Sequence, residues 1–139
     1  MLPASERLSR DSLFQRVYAG RKNVSTPLVT LYVLERQARS APRRPLVGFV
    51  VGKKVHNKAA YRNLAKRRVR EAYRAVRLGD ASVKQWYAMV WVVHNKVLNA
   101  TWDEVLKAVA ECLVRADRKY GRHRSGPRQQ GEGGATQEA

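Results

Sequence analysis

KKVHNKAAYRNLAKRRVREAYRAVR, residues 53–77, combines a dense run of cations with an apolar repeat of helical period. It holds ten Lys or Arg against a single acid, Glu71. Neither proline nor glycine interrupts residues 59–78, and Gly79 follows, so the pattern predicts one long helix. On a helical wheel Ala65, Val69, Ala72, Tyr73 and Val76 share one arc. Arg62, Lys66, Arg67, Arg70, Arg74 and Arg77 occupy the adjoining arc at i,i+3 and i,i+4 steps. Such a helix packs on a sheet by the first arc and presents cations on the second. Glu71 is placed to pair with Arg67 or Arg68, which offsets little of the repulsion. A rigid ladder of cations suits the regular charge spacing of a nucleic-acid backbone.

The elements around this helix follow from local chemistry. Residues 46–51 (LVGFVV) precede it as a strand, and residues 87–93 (YAMVWVV) follow it. The second run is nearly continuous in apolar character, which predicts a central strand buried on both faces. Residues 28–34 (LVTLYVL) form an earlier strand entered through Pro27. Residues 35–45 mix charges with two prolines and predict a surface connection. Near the start, Asp11 or Ser9 is suited to cap a helix ending at Ala19, with Gly20 as the left-handed residue after it. That helix carries two columns, Leu13 with Val17 and Phe14 with Tyr18, about 100° apart, and one column is expected to stay exposed. Thr101 and Glu104 have capping-box spacing ahead of Val105, Leu106, Val109, Leu113 and Ala116, predicting a last helix that ends near Arg118. The order helix, strand, strand, basic helix, strand, helix is that of an α+β domain.

A chain of 139 residues with 44% hydrophobic content suits one domain with a modest core, placed at residues 1–120. Residues 121–139 are glycine-rich and polar, and read as a disordered tail whose basic early part chiefly solvates. A net charge of +17 implies a polyanionic partner. The longest apolar run, residues 86–93, is too short to span a bilayer, so no membrane partner is expected. The first residues lack the apolar core of a secretory signal, which predicts a cytoplasmic protein. Cys112 is the one cysteine, sits among apolar helix positions and reads as a small packed residue.

Catalytic constellations are absent from the sequence. Glu6, Asp11, Glu35, Glu71, Asp80, Asp103, Glu104, Glu111 and Asp117 are scattered, without the clustered carboxylates of a two-metal nuclease. His56, His94 and His123 lie far apart and read as surface or strand-end residues. No catalytic residue and no metal ligand is assigned to this chain.

The central residues resemble the bacterial ribonuclease P protein component. That family's signature is Lys-Lys, a short turn, then Arg-Asn-Arg-x-Lys-Arg-x-x-Arg-Glu. Here Lys53 and Lys54 precede Arg62, Asn63, Leu64, Lys66, Arg67, Arg70 and Glu71, so eight signature positions are kept and Leu64 replaces an arginine. Phe14, Val17, Tyr18 and Gly20 are similar to its Phe-x-x-Val-Phe element before a glycine. Residues 31–33 are similar to its first long strand, and residues 47–54 to its strand-to-signature junction. The likeness covers about residues 8–118. The chain departs from the pattern at Leu64, which Arg68 is placed to compensate, at His56 in a turn one residue longer than usual, and at His94-Asn95 where the family often has Ala-Arg.

The resemblance implies a two-layer sandwich of a four-stranded sheet with about three helices, similar to the second domain of a small ribosomal protein, with a left-handed βαβ crossover. It also implies that the RNA subunit performs the hydrolysis with magnesium that it mainly holds, the protein alone being inactive and needing no obligate protein partner. Lys53, Lys54, Arg62, Asn63, Lys66, Arg67 and Arg70 would bind the catalytic RNA, whose phosphates they match. Phe14, Tyr18 and Tyr32 would stack on the unpaired 5′ leader of precursor tRNA. Two rival classes stand beside this. A structural RNA-binding protein such as a ribosomal protein explains the charge but not the signature or the aromatic column. A protein-only nuclease or DNA-binding regulator requires clustered carboxylates or a helix-turn-helix.

Overall fold

The apolar run that reads as a central strand lies in the middle of a four-stranded sheet. The computed structural model describes residues 2–36, 44–51 and 58–121. In chain order these form α1 (Asp11–Ala19), β1 (Asn23–Ser25), β2 (Val29–Glu35), β3 (Leu46–Val51), α2 (Ala59–Arg77), β4 (Trp86–Val93) and α3 (Trp102–Tyr120). Short 3-10 turns occupy Ala4–Glu6, Ala81–Gln85 and Asn95–Asn99. The sheet order is β1-β2-β4-β3. β2 runs antiparallel to β1 and β4, whereas β3 and β4 are parallel neighbours joined through α2. The tail, residues 37–43 and the turn containing His56 lie outside the described residues, as does His123.

Side-chain alternation divides the sheet into two faces. Val29, Leu31, Val33, Val47, Met89, Trp91 and Val93 point to one face and pack with Ala65, Val69, Ala72 and Tyr73 of α2 and Val105, Val109, Cys112 and Leu113 of α3. Tyr73 sits between Phe49 and Trp91, with ring centroids 6.3 and 5.9 Å away. Ala88 and Val90 point to the opposite face, where they are buried with Leu8 and Val17. The sandwich of sheet and α2/α3 therefore carries α1 on its outer sheet face.

Local chemistry explains the boundaries. Thr101 Oγ1 accepts from the Glu104 amide at 3.2 Å while Glu104 Oε1 accepts from the Thr101 amide at 2.8 Å, the capping box expected at the start of α3. This helix runs to Tyr120, two residues beyond the expected end, and the Tyr120 hydroxyl reaches the Asn23 carbonyl at 3.3 Å. β1, which the sequence reading omits, is a three-residue edge strand. Its hairpin with β2 turns on Thr26, whose hydroxyl accepts from the Leu28 and Val29 amides at 3.3 and 3.1 Å.

α1 departs from expectation in three ways. Arg10 occupies its N-cap without a side-chain bond, so neither Ser9 nor Asp11 caps it. Gly20 is right-handed (φ −70°), and Arg21 takes the left-handed conformation at φ 55°. Neither column is exposed: Val17 is fully buried, and Leu13, Phe14 and Tyr18 are half-buried against the sheet. A nine-residue helix without a cap is not stable alone, so docking through these columns holds it in place. The expected surface connection also begins later than residue 35. Glu35 belongs to β2, and Arg36 is buried, donating to the Lys84 and Trp86 carbonyls at 3.0 and 2.8 Å. Among the described residues no helix is long and apolar enough to cross a membrane.

Candidate nucleic-acid interface

α2 begins at Ala59 as its period predicts and turns its cations outward over most of its length. Arg67 and Asn63 are exposed, while Arg62, Lys66 and Arg70 are half-buried at their stems. Asn63, Leu64, Lys66, Arg67 and Arg70 line a shallow groove of about 510 Å³ along the helix. Leu64, at the position of the missing signature arginine, therefore puts an apolar patch among the cations. Arg70 also lies over the Phe49 ring, 5.9 Å from its centroid, which fixes the guanidinium against the β3 edge. Lys53 and Lys54 lie outside the described residues.

Three arginine assignments need correction. Arg77 is buried, with Nε donating to Glu6 Oε1 at 3.0 Å, and so leaves the cation arc. Its partner is 71 residues away, beyond the reach of helical spacing. Arg68 does not compensate for Leu64: its Nη1 donates to the Val97 and Leu98 carbonyls, both at 3.0 Å, and so ties α2 to the turn after β4. Glu71 pairs with Arg74 at 3.2 Å, where the sequence reading had chosen Arg67 or Arg68.

The three aromatics gather on the outer sheet face. Tyr18 and Tyr32 meet edge-to-face, with centroids 4.9 Å apart. Burial, and after it the proximity of Tyr32, raises the Tyr18 phenol above its ordinary range, so Tyr18 stays neutral at physiological pH. Phe14, one turn earlier, lies over Gly48, where a Cβ would come within 2.5 Å of the ring's Cζ. A glycine at this β3 position thus makes room for the ring.

The aromatic and cationic surfaces meet around the β3 edge. A cleft of about 230 Å³ there is lined by Arg7, Leu8, Phe14, Gly48, Phe49, Lys66 and Arg70, among others. Arg7 and Leu8 were missed by sequence reasoning. They reach the site because the chain before α1 bridges to Val47, with the Leu8 amide donating to the Val47 carbonyl at 2.9 Å. Only the arginine preceding an apolar residue marks them in the sequence.

Among the described residues no three His, Cys, Asp or Glu side chains gather where a metal ion could be held. The buried Cys112 thiol is pushed up to about 12 by desolvation, which leaves it an unreactive packing group. His94, read as a strand-end residue, occupies that place and bonds through Nε2 to Thr30 Oγ1 at 2.8 Å.

Comparison with known proteins bears on this geometry. A family model described as Ribonuclease P matches residues 2–117. The ribonuclease P protein component of Symbiobacterium thermophilum is 38% identical over 110 residues, covering 79% of this chain and 90% of that protein. That of Alkaliphilus oremlandii is 33% identical over 112 residues, covering 81% and 91%. Among solved structures, the RNase P protein from Thermotoga maritima superposes with a TM-score of 0.64 at 23% identity, covering 79% of this chain and 96% of that one. The Staphylococcus aureus RNase P protein gives 0.65 at 19% identity, covering 80% and 94%. The structural likeness shows a shared α+β fold, and the sequence matches over most of the chain show descent: this protein belongs to the ribonuclease P protein component family.

Proposed function

We propose that the chain is the protein subunit of a ribonuclease P that removes the 5′ leader from precursor tRNA in the cytoplasm. In this reading Arg62, Asn63, Lys66, Arg67 and Arg70, with Lys53 and Lys54, bind phosphates of a catalytic RNA and set the protein's register on it. Phe14, Tyr18 and Tyr32 offer ring faces to the unpaired leader, each stacked base contributing about 1–3 kcal/mol with little regard to sequence. Such tolerance suits a leader that differs among tRNAs. The RNA performs hydrolysis with magnesium that it mainly holds, and the protein's own groups bind and orient.

The observation that carries the reading is the continuity of the two surfaces. Phe14 and the cations Lys66 and Arg70 line one cleft around the β3 edge, so two RNA partners bound to the two surfaces would meet there. The test is multiple-turnover cleavage of a precursor tRNA at low magnesium and physiological salt, using a bacterial ribonuclease P RNA with this protein, without it, and with the protein alone. Cleavage at the mature 5′ end only when both are present is expected. Absence of stimulation would favour a purely structural RNA-binding role, and activity of the protein alone would overturn the division of labour.

A further inference from the structure

The chain before α1 is a strap that crosses the β3 edge of the sheet. Leu2 is buried in the core between the sheet and α2/α3, whereas Leu8 is buried on the opposite sheet face with Val17. Between them the 3-10 turn Ala4–Glu6 closes with the Glu6 amide donating to the Pro3 carbonyl at 2.9 Å, and Arg7 follows in extended backbone beside Val47. Alternation there buries Glu6 and Leu8 and turns Arg7 outward. Arg77 Nε donates to Glu6 Oε1 at 3.0 Å, and Nη2 lies 3.5 Å from Oε2. A guanidinium and a carboxylate meeting at two points fix direction as well as distance.

The strap is also part of the cleft. Leu2, Arg7 and Leu8 line it together with Phe14, Lys66 and Arg70. Leu8 and the Phe14 ring both lie against the space over Gly48. α1 begins at Asp11, three residues after Leu8, and has no side-chain cap, so the strap sets where its first turns, and Phe14 with them, come to rest. Tyr73 joins the ion pair to the same cleft from the core side. Burial first, and the Glu6 charge second, raise its phenol above the ordinary range, and its ring meets Phe49, a cleft residue.

We propose that Glu6 and Arg77 are positioning residues for precursor tRNA binding: their pair holds the strap to the last turn of α2 and so seats α1 and Phe14 on the cleft. Both side chains are enclosed, and neither serves as an RNA contact. The far end of the helix that carries the cations thereby orients the aromatic platform. An apolar pair of similar volume would hold the strap to the core without fixing its orientation, since apolar packing carries no direction. The inference rests on the leader reading proposed above and goes beyond it, assigning a role to two residues that touch neither RNA.

The test is multiple-turnover cleavage of precursor tRNA by holoenzymes rebuilt with the wild-type protein, Glu6→Leu/Arg77→Met or Arg68→Ala, alongside mature tRNA binding and thermal unfolding of each protein. The double variant is expected to unfold near the wild-type temperature and yet to raise KM for precursor tRNA roughly tenfold, inside the roughly hundredfold that a misplacement of about 1 Å causes. Its kcat, its affinity for mature tRNA and its affinity for the catalytic RNA should stay within about twofold, because only binding through the platform is lost. Arg68→Ala loses two bonds to the turn after β4 and leaves the strap alone, so it should lose stability and keep the wild-type KM. A wild-type KM in the double variant would overturn the positioning role and reduce the pair to a stabilising contact. An equal rise of KM in Arg68→Ala would overturn it as well, since lost stability would then explain both. A wild-type KM that is the same with and without a leader would instead remove the leader reading, and the positioning role with it.

Discussion

Arg77 and Glu6 form a buried ion pair that fastens the last turn of α2 to the 3-10 turn at the chain's start, with side-chain exposures of 9% and 11%. The same N-terminal segment inserts Leu2 into the main core and bridges Val47. Breaking a buried pair by removing one partner leaves an uncompensated charge and costs about 3–5 kcal/mol, while replacing both with apolar groups is often neutral. Glu6→Ala is therefore expected to lower the unfolding free energy by about 3 kcal/mol in urea, with most of it restored in the Glu6→Leu/Arg77→Met double variant. Because Arg77 is enclosed, the double variant should keep the wild-type salt slope for RNA binding.

Adjacent arginines on α2 should separate stability from binding. Arg68 donates to two carbonyls, so Arg68→Ala is expected to cost about 2 kcal/mol of stability and leave the salt slope of RNA affinity unchanged. Exposed Arg67 should behave the other way. Arg67→Ala is expected to change stability by less than about 0.5 kcal/mol and to reduce the slope of log affinity against log salt by about 1. Chemical denaturation and filter binding across a salt series would measure both. Equal behaviour of the two variants would contradict the assignment.

These two cases mark where legibility in the sequence ends. The course of α2 and the central place of β4 were readable because period and two-sided apolarity are local properties, and the start of α3 was readable because Thr101 and Glu104 recognise each other across one turn. Arg77 looks like its neighbours on a wheel, and only the tertiary path that brings Glu6 beside it makes it structural. β1 escaped notice because three residues carry no measurable alternation, and Thr26-Pro27 alone marks its turn. The hydrogen bond between Thr30 and His94 is likewise a product of strand register, which joins positions 64 residues apart. Phe14, Tyr18 and Tyr32 could be picked as aromatics, but their grouping on the outer sheet face needed the fold.

Gly48 and Phe14 give a prediction about the aromatic cleft. A methyl group at residue 48 would meet the Phe14 ring at 2.5 Å and Leu8 Cβ at 3.4 Å, so Gly48→Ala must displace the ring. Overpacking of this kind costs about 1–3 kcal/mol. Precursor tRNA binding by the holoenzyme is expected to weaken to a similar degree in Gly48→Ala and Phe14→Ala, with mature tRNA binding nearly unchanged in both. The double variant should add little to either single one, since both remove the same ring from the same place. Full additivity, or equal loss for mature tRNA, would separate Gly48 from the leader surface.

His94 makes stability depend on pH in a definite direction. Burial lowers its pKa from the ordinary 6.5, so the folded state takes up a proton less readily than the unfolded chain. Between the lowered value and 6.5 the unfolded chain binds more protons, and stability rises with pH across that window. Acidification from pH 7.5 to 5.5 is accordingly expected to lower the melting temperature, and protonation would also cost Nε2 its ability to accept from Thr30. His94→Gln retains a polar partner for Thr30 and does not titrate, so its melting temperature relative to wild type should rise as the pH falls. Comparing the two proteins at each pH cancels every titration that they share. Parallel curves over this range would show that His94 binds its proton equally in the folded and unfolded chains, contrary to its half-buried place beside Thr30.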